Sequence, residues 1–77
     1  MNLFKKGDIV KIGLGYVDSY PKVANMFGRI TSVRNNEICS VIFKSTGSDP
    51  YLWGFHYTKL SNPVLIRKRK IELILND

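Results

Sequence analysis

Lys6-Gly7-Asp8-Ile9-Val10-Lys11-Ile12, followed further along by Gly28-Arg29-Ile30, is the part of the sequence that decides the fold. In the first stretch a polar turn leads into an alternating strand, with Val10 and Ile12 on one face and Ile9 and Lys11 on the other. The second stretch opens another strand on a glycine. This order predicts a small β-fold built around one apolar core.

The same pattern extends through the middle of the chain, where we expect strands at 8–12, 27–33, 37–43 and 51–56. Asn35-Asn36 separates the second strand from the third. Asparagine tolerates positive φ better than most residues, so this pair predicts a tight hairpin. After the fourth strand, residues 57–60 read as a short helical turn that places Leu60 in the core, and Pro63 ends it.

Three segments are less regular. Residues 13–26 contain Pro21 and predict a long, partly packed loop, in which 23–26 can form one helical turn. Residues 44–50 are rich in turn formers and predict a second loop. Residues 64–75 are compatible with a strand, a hairpin or a helix after Asn62-Pro63, and the many Val and Ile residues favour a strand.

Length and composition define the class of protein. The 77 residues predict a single domain, with a β-barrel core at 4–63 and a basic and apolar C-terminal segment at 64–77. Cys39 is the only cysteine, so we expect a buried thiol in a reducing compartment and no disulfide. No segment is apolar for long enough to cross a bilayer, and no apolar segment follows the lysines near the start. The expectation is a cytoplasmic protein with no membrane partner.

The order of Gly7-Asp8-Ile9-Val10-Lys11-Ile12, Gly28-Arg29-Ile30, a hairpin, an aromatic strand, and Leu60 before Pro63 resembles a Src-homology-3-like small β-barrel. Within that fold it is most similar to the KOW-type motif and to small barrels encoded by bacteria and phages. The resemblance covers residues 4–63 and implies a small five-stranded β-barrel. The long loop between the first two strands departs from the KOW pattern, and, with the basic C-terminal strand favoured above, the expected fold is all-β. The resemblance also implies a binding module.

Enzyme chemistry finds little support in the sequence. His56 and Cys39 are each the only residue of their type, and the six acidic residues show no pairing that would form a catalytic or metal site. The pair Gly13 and Gly15 lacks the spacing of a phosphate-binding loop. We therefore expect no enzyme, no metal and no cofactor.

The strongest electrostatic signal is the run Arg67-Lys68-Arg69-Lys70. The net charge of the chain is +6, and without this run it would be +2, so the positive charge is concentrated in one place. One interpretation is a solvated strand edge. The other is contact with the phosphates of DNA or RNA, extended by Lys5, Lys6, Lys11, Arg29 and Arg34 if the two termini lie together.

Residues 51–57 form an aromatic strand, with Tyr51, Trp53, Phe55 and Tyr57 on one face. In a domain this small, at least two of these rings are expected in the core. Tyr51 and Trp53, if exposed beside basic residues, would stack on nucleic-acid bases.

The alternative partner is an acidic protein. In that interpretation the anchors are Tyr16, Tyr20, Ile9 and Ile38, and the chain is a small phage or mobile-element factor that binds a host protein. A homodimer through the apolar residues 71–75 also stays open. The sequence favours nucleic acid over protein by a small margin.

Overall fold

The computed structural model describes residues 2–44 and 50–75. The strands are β1 (Ile9–Ile12), β2 (Gly28–Arg34), β3 (Ile38–Phe43), β4 (Tyr51–His56) and β5 (Leu60–Ser61), and the helix α1 spans Pro63–Leu75. Short 3-10 helices occupy Leu14–Ser19 and Tyr57–Lys59. The first four strands agree with the predicted ones to within one residue at either end.

The five strands form one antiparallel sheet in the order β4-β3-β2-β1-β5. The prediction of five strands in a mostly β fold is therefore confirmed, although the fifth is the short β5 and not the C-terminal segment. Within residues 2–44 and 50–75 no pairing joins β4 to β5, so the sheet is open and is not a closed barrel. With only two residues, β5 is too short to extend across to β4.

One face of the sheet, which we call the inner face, carries the core. Val10, Ile30, Val41 and Phe43 on this face are at most 1% exposed. A Cβ atom added to Gly28 would lie 2.5 Å from Val41 Cγ1 and 2.8 Å from the Phe43 ring. The glycine that opens β2 is therefore required because the Val41 and Phe43 side chains fill the space that its own side chain would need.

The predicted hairpin between β2 and β3 is confirmed. Asn35 and Asn36 have φ of 52° and 59°, and the Glu37 N–H donates to the Arg34 carbonyl at 3.0 Å. Two successive left-handed residues are what a type I′ turn requires. The predicted helical turn before Leu60 is also present, and Leu60 is 6% exposed.

The segment between β1 and β2 is more ordered than the predicted loop. It begins with the 3-10 helix Leu14–Ser19 and continues through turns at 21–25. Val23 in these turns is fully buried and belongs to the core. The predicted second loop falls mainly on residues 45–49, which lie outside the described residues.

The preferred strand at 64–75 is wrong, because this segment forms α1. The Asn62 side chain accepts a hydrogen bond from the Leu65 N–H at 3.2 Å, as an N-cap does, and Pro63 takes the first helical position, where its missing N–H costs nothing. Asn62 also donates to the Ile9 carbonyl at 2.7 Å, which fixes the start of α1 against β1. No helix in the described part of the chain has the length and apolar character to span a membrane.

Candidate functional site

A cross-strand row of side chains crosses four strands on the outer face of the sheet. Ile9 on β1 pairs with Arg29 on β2, Arg29 with Ile42 on β3, and Ile42 with Leu52 on β4. Ile9 is 42% exposed and Leu52 is 63% exposed. The row therefore combines an arginine with aliphatic side chains that solvent reaches.

Phe27 stands at one end of this face, immediately before β2. Its side chain is 67% exposed, and the Lys11 ammonium lies 5.1 Å from the centre of its ring. Two grooves meet at Phe27 and Ile9. The groove of about 220 Å³ runs along β1 to Asn62, and the groove of about 400 Å³ runs across β2 to Lys44.

We call this surface the Phe27 face, and it consists of Ile9, Lys11, Phe27, Arg29, Ile42 and Lys44. Three of its six residues are cations, and none of the described residues that line its two grooves is acidic. An exposed aromatic ring with cations on both sides can stack on a flat π-system while the cations hold negative charge.

The run Arg67-Lys68-Arg69-Lys70 lies on α1, so its side chains point in four directions around the helix. Arg69 is not available for a ligand. Its guanidinium donates to both carboxylate oxygens of Asp8 and to the Leu3 carbonyl at 2.8 Å. This contact brings the two ends of the chain together and ties α1 to the turn before β1.

The Asp8 carboxylate is only 11% exposed, and burial alone would raise its pKa. The hydrogen bonds from Arg69 and from the Lys5 N–H, together with the Arg69 charge, outweigh burial and lower the pKa below its ordinary value. The hydrogen bond with Asp8 raises the pKa of Arg69. Asp8 and Arg69 therefore form a charged pair that joins α1 to the sheet.

The other predicted cations lie in separate places. Lys5 and Lys6 are exposed in the turn before β1 and line a shallow depression with Ser32 on β2. Arg29 belongs to the Phe27 face, whereas Arg34 lies at the opposite end of β2, in the row that it shares with Ile38. The two residues are five positions apart along β2, which puts Arg34 about 16 Å from Arg29.

The aromatic strand points inward, as expected for at least part of it. Phe55 is 2% exposed, and Tyr51 and Trp53 are half-buried against the core. Tyr20 packs edge-on against Trp53 and Phe55, with ring centres 5.5 and 5.0 Å apart. The Trp53 ring is therefore engaged by its own chain, and Tyr51 has the Lys22 ammonium 5.8 Å from its ring.

The four residues of the alternative protein-binding prediction do not form one surface. Tyr20 packs on the inner face against Phe55. The Lys59 ammonium lies 5.7 Å from the centre of the Tyr20 ring and 5.9 Å from the centre of the Tyr16 ring. Ile9 and Ile38 are on the outer face in different rows.

The reactive side chains have structural roles. Cys39 is buried, as predicted, and accepts a hydrogen bond from the Asn2 amide at 3.6 Å, while burial raises the pKa of its thiol. His56 Nδ1 lies 2.8 Å from the Thr58 hydroxyl and caps the 3-10 helix that follows β4. Within residues 2–44 and 50–75, no three His, Cys, Asp or Glu residues are grouped so as to hold a metal ion.

The sequence did not single out Phe27, Ile42 or Lys44, and it offered Lys11 only as an extension of the basic run. The signal for Lys11 and Ile42 is the alternation within β1 and β3, which puts both on the face opposite the core. The exposure of Phe27 has a different cause. Its neighbour Gly28 lies on the inner face beneath Val41 and Phe43, so Phe27 is directed to the outer face, and sequence alone does not show which face is covered at this point.

Comparison with known proteins gives no match: no protein-family model, no curated protein and no solved structure is similar to this chain. Its function is therefore inferred from its own residues.

Proposed function

We propose that this chain is a non-enzymatic binding module that holds single-stranded nucleic acid on the Phe27 face. The observation that carries the proposal is the exposed Phe27 ring between two grooves, with Lys11 over the ring. Bases stack on such a ring whatever their identity, with about 1–3 kcal/mol per base. The binding is therefore sequence-tolerant.

The cations of the same face supply the phosphate contacts. Lys11, Arg29 and Lys44 line the two grooves that meet at Phe27, so a backbone following either groove passes at least one of them. Each neutralised phosphate releases counterions and makes affinity fall more steeply with salt. Arg67, Lys68 and Lys70 add positive charge on several sides of α1, which strengthens binding of longer strands.

A single strand fits this face better than a duplex. Stacking on Phe27 needs a base whose flat face is free, and in a duplex each base face is covered by its neighbours. The described fold also has no helix placed as a recognition helix, since α1 carries its basic residues on all sides.

Fluorescence anisotropy with labelled oligo-dT, oligo-rU and a DNA duplex, at about 50 and 200 mM salt, tests the proposal. Phe27→Ala should weaken single-strand binding about tenfold at either salt concentration. Arg29→Gln should weaken it at low salt and reduce the slope of log K against log salt by about 0.7, the value for one lost phosphate contact.

Arg34→Gln is the matched control, because it removes the same charge from the same strand at the opposite end. It should leave the affinity within about twofold. The triple change Arg67→Gln, Lys68→Gln, Lys70→Gln keeps Arg69 in its pair with Asp8 and tests α1 separately. Equal effects of Arg29→Gln and Arg34→Gln, with none from Phe27→Ala, would contradict binding on this face.

An acidic protein is the second candidate partner, favoured by the exposed aliphatic residues Ile9 and Leu52 in the same row as Arg29. Hot spots in such an interface are apolar and aromatic side chains. Absence of nucleic-acid binding at low salt would favour this partner.

A further inference from the structure

The end of α1 is apolar and is left exposed by the residues that the structure describes. Leu65 and Ile66 in its first half pack against the core, whereas Ile71, Leu73, Ile74 and Leu75 are 50, 45, 74 and 77% exposed. We call these four residues together with Glu72 the helix tip.

The helix tip extends away from the sheet. The molecule measures 45 × 22 × 21 Å, and its radius of gyration is 12.9 Å. A compact domain of this length has a radius of gyration of about 11.5 Å. An α-helix of 13 residues is about 20 Å long, so α1, held to the sheet at Asn62 and Arg69, accounts for the long axis.

The apolar residues surround the helix. At about 100° per residue, the four apolar side chains of the tip point to every side except that of Glu72. A partner with one flat apolar stripe covers only part of such a tip. A surface with two grooves around a central ring covers more of it, and the Phe27 face has that shape.

The two surfaces are also complementary in charge. The helix tip carries Glu72, and the Phe27 face carries Lys11, Arg29 and Lys44. They do not meet within one chain, since none of the described residues lining the two grooves comes from the helix tip.

We infer that the helix tip of one copy docks on the Phe27 face of a second copy, and that two copies do so reciprocally about a two-fold axis. A stable interface buries about 800 Å² on each partner, more than a single tip of five residues supplies. In a reciprocal dimer each chain contributes both its tip and its face, so the contact is formed twice. Tip-to-face docking also separates the two basic runs, which parallel pairing of the helices would place side by side.

The dimer covers the surface that we propose for nucleic acid, so the two compete. Dimerisation does not depend on that proposal, because the contact is formed by this chain alone. Salt separates the two activities. Each chain carries +6, and screening of their mutual repulsion favours the dimer, whereas salt weakens binding to phosphates.

Sedimentation equilibrium of the full chain without nucleic acid tests the inference. The wild-type protein should be dimeric at about 100 μM, and Ile74→Asp in the tip and Phe27→Asp on the face should each raise the dissociation constant at least about tenfold. Both side chains are exposed, so folding should be preserved, and a thermal melt checks this.

Mixing the two variants is the decisive measurement. Neither variant alone retains an intact tip-to-face contact, but a mixed dimer retains one, between the tip of Phe27→Asp and the face of Ile74→Asp. The mixture should therefore associate more tightly than either variant alone. Wild-type protein that stays monomeric, or Phe27→Asp that dimerises normally while Ile74→Asp does not, overturns the inference.

Carbodiimide cross-linking of the wild-type protein gives a readout that needs no variant. Glu72 should be joined to Lys11 or Lys44 of another copy, detected in a 1:1 mixture of isotopically light and heavy chains. Cross-links from Glu72 that occur only within one chain would contradict docking.

Discussion

The two faces of the sheet carry similar apolar side chains with opposite exposure. On the inner face Phe43 is fully buried, whereas Phe27, on the other side of the same strand pair, is 67% exposed. Ile30 on the inner face is 0% exposed and Ile9 in the outer row is 42% exposed. The difference shows that apolar residues in this chain serve two purposes, since one set holds the sheet together and the other is available for a partner.

The largest difference in the free energy of unfolding should be between the alanine variants of two phenylalanines, one on each face of the sheet. Phe43→Ala empties part of the core and should lower the free energy of unfolding by about 3–5 kcal/mol. Phe27→Ala removes a ring that is mostly in water and should change it by less than about 0.5 kcal/mol. Urea unfolding followed by circular dichroism measures both.

If Phe43→Ala does not fold, Phe43→Leu provides the comparison, with an expected loss of about 1 kcal/mol. Equal losses for Phe43 and Phe27 would mean that the two faces are buried alike.

Alanine substitutions at Gly28 and Gly54 compare how much space each face leaves next to the backbone. In Gly28→Ala the new methyl meets Val41 Cγ1 at 2.5 Å, so unfolding free energy should fall by about 1–3 kcal/mol. In Gly54→Ala, on the outer face, the nearest atom is Ile38 Cγ2 at an ordinary 3.5 Å. That variant should gain about 0.5 kcal/mol, because alanine loses less entropy in a strand. Thermal denaturation of the two variants shows which is the more stable. A destabilised Gly54→Ala would show that side chains also pack closely on the outer face.

The third comparison concerns the ion pair of Asp8 and Arg69, which ties α1 to the turn before β1. Asp8→Asn should lower the free energy of unfolding at pH 7 by about 2 kcal/mol, because it removes a charged hydrogen bond. The folded-state pKa of Asp8 lies below its unfolded value, so its contribution is complete above about pH 4 and is lost as the pH falls through the lowered pKa.

Urea unfolding at pH 7 and at a series of lower pH values should therefore show a difference between wild type and Asp8→Asn that shrinks as the pH falls below about 4. Asp18→Asn, at an exposed position, is the control and should differ little from wild type at every pH of the series. A difference that persists unchanged at low pH would show that the charge of Asp8 does not stabilise the contact with Arg69.

The sheet was predictable because its signals are local. Alternation fixed β1 and β3, and Asn35-Asn36 fixed the turn between β2 and β3. A strand was preferred to a helix for residues 64–75, because the Val and Ile residues in this segment favour strands. Asn62-Pro63 was the correct signal, since a side-chain acceptor followed by proline at the first position starts a helix.

The candidate site was predictable only in part. Arg29 and Ile9 were selected, but as members of different sets, and the cross-strand row that unites them depends on the register of β1 with β2. The pairing of Arg69 with Asp8 joins residues 61 positions apart, which no local pattern reveals. Because of this pairing Arg69, which was expected to contact phosphate, has a structural role.

The strand order has a consequence for how the protein is made. β1, near the start of the chain, lies between β2 and β5, and β5 directly precedes α1. On the ribosome the hairpin of β2 and β3 is complete early, while one edge of β1 stays unpaired until β5 has been synthesised. Until β5 emerges, that edge is open to pairing with another nascent chain. Lys11 and Ile12, which pair with Ser61 and Leu60, are thus the positions at which a slow or stalled translation exposes this protein to aggregation.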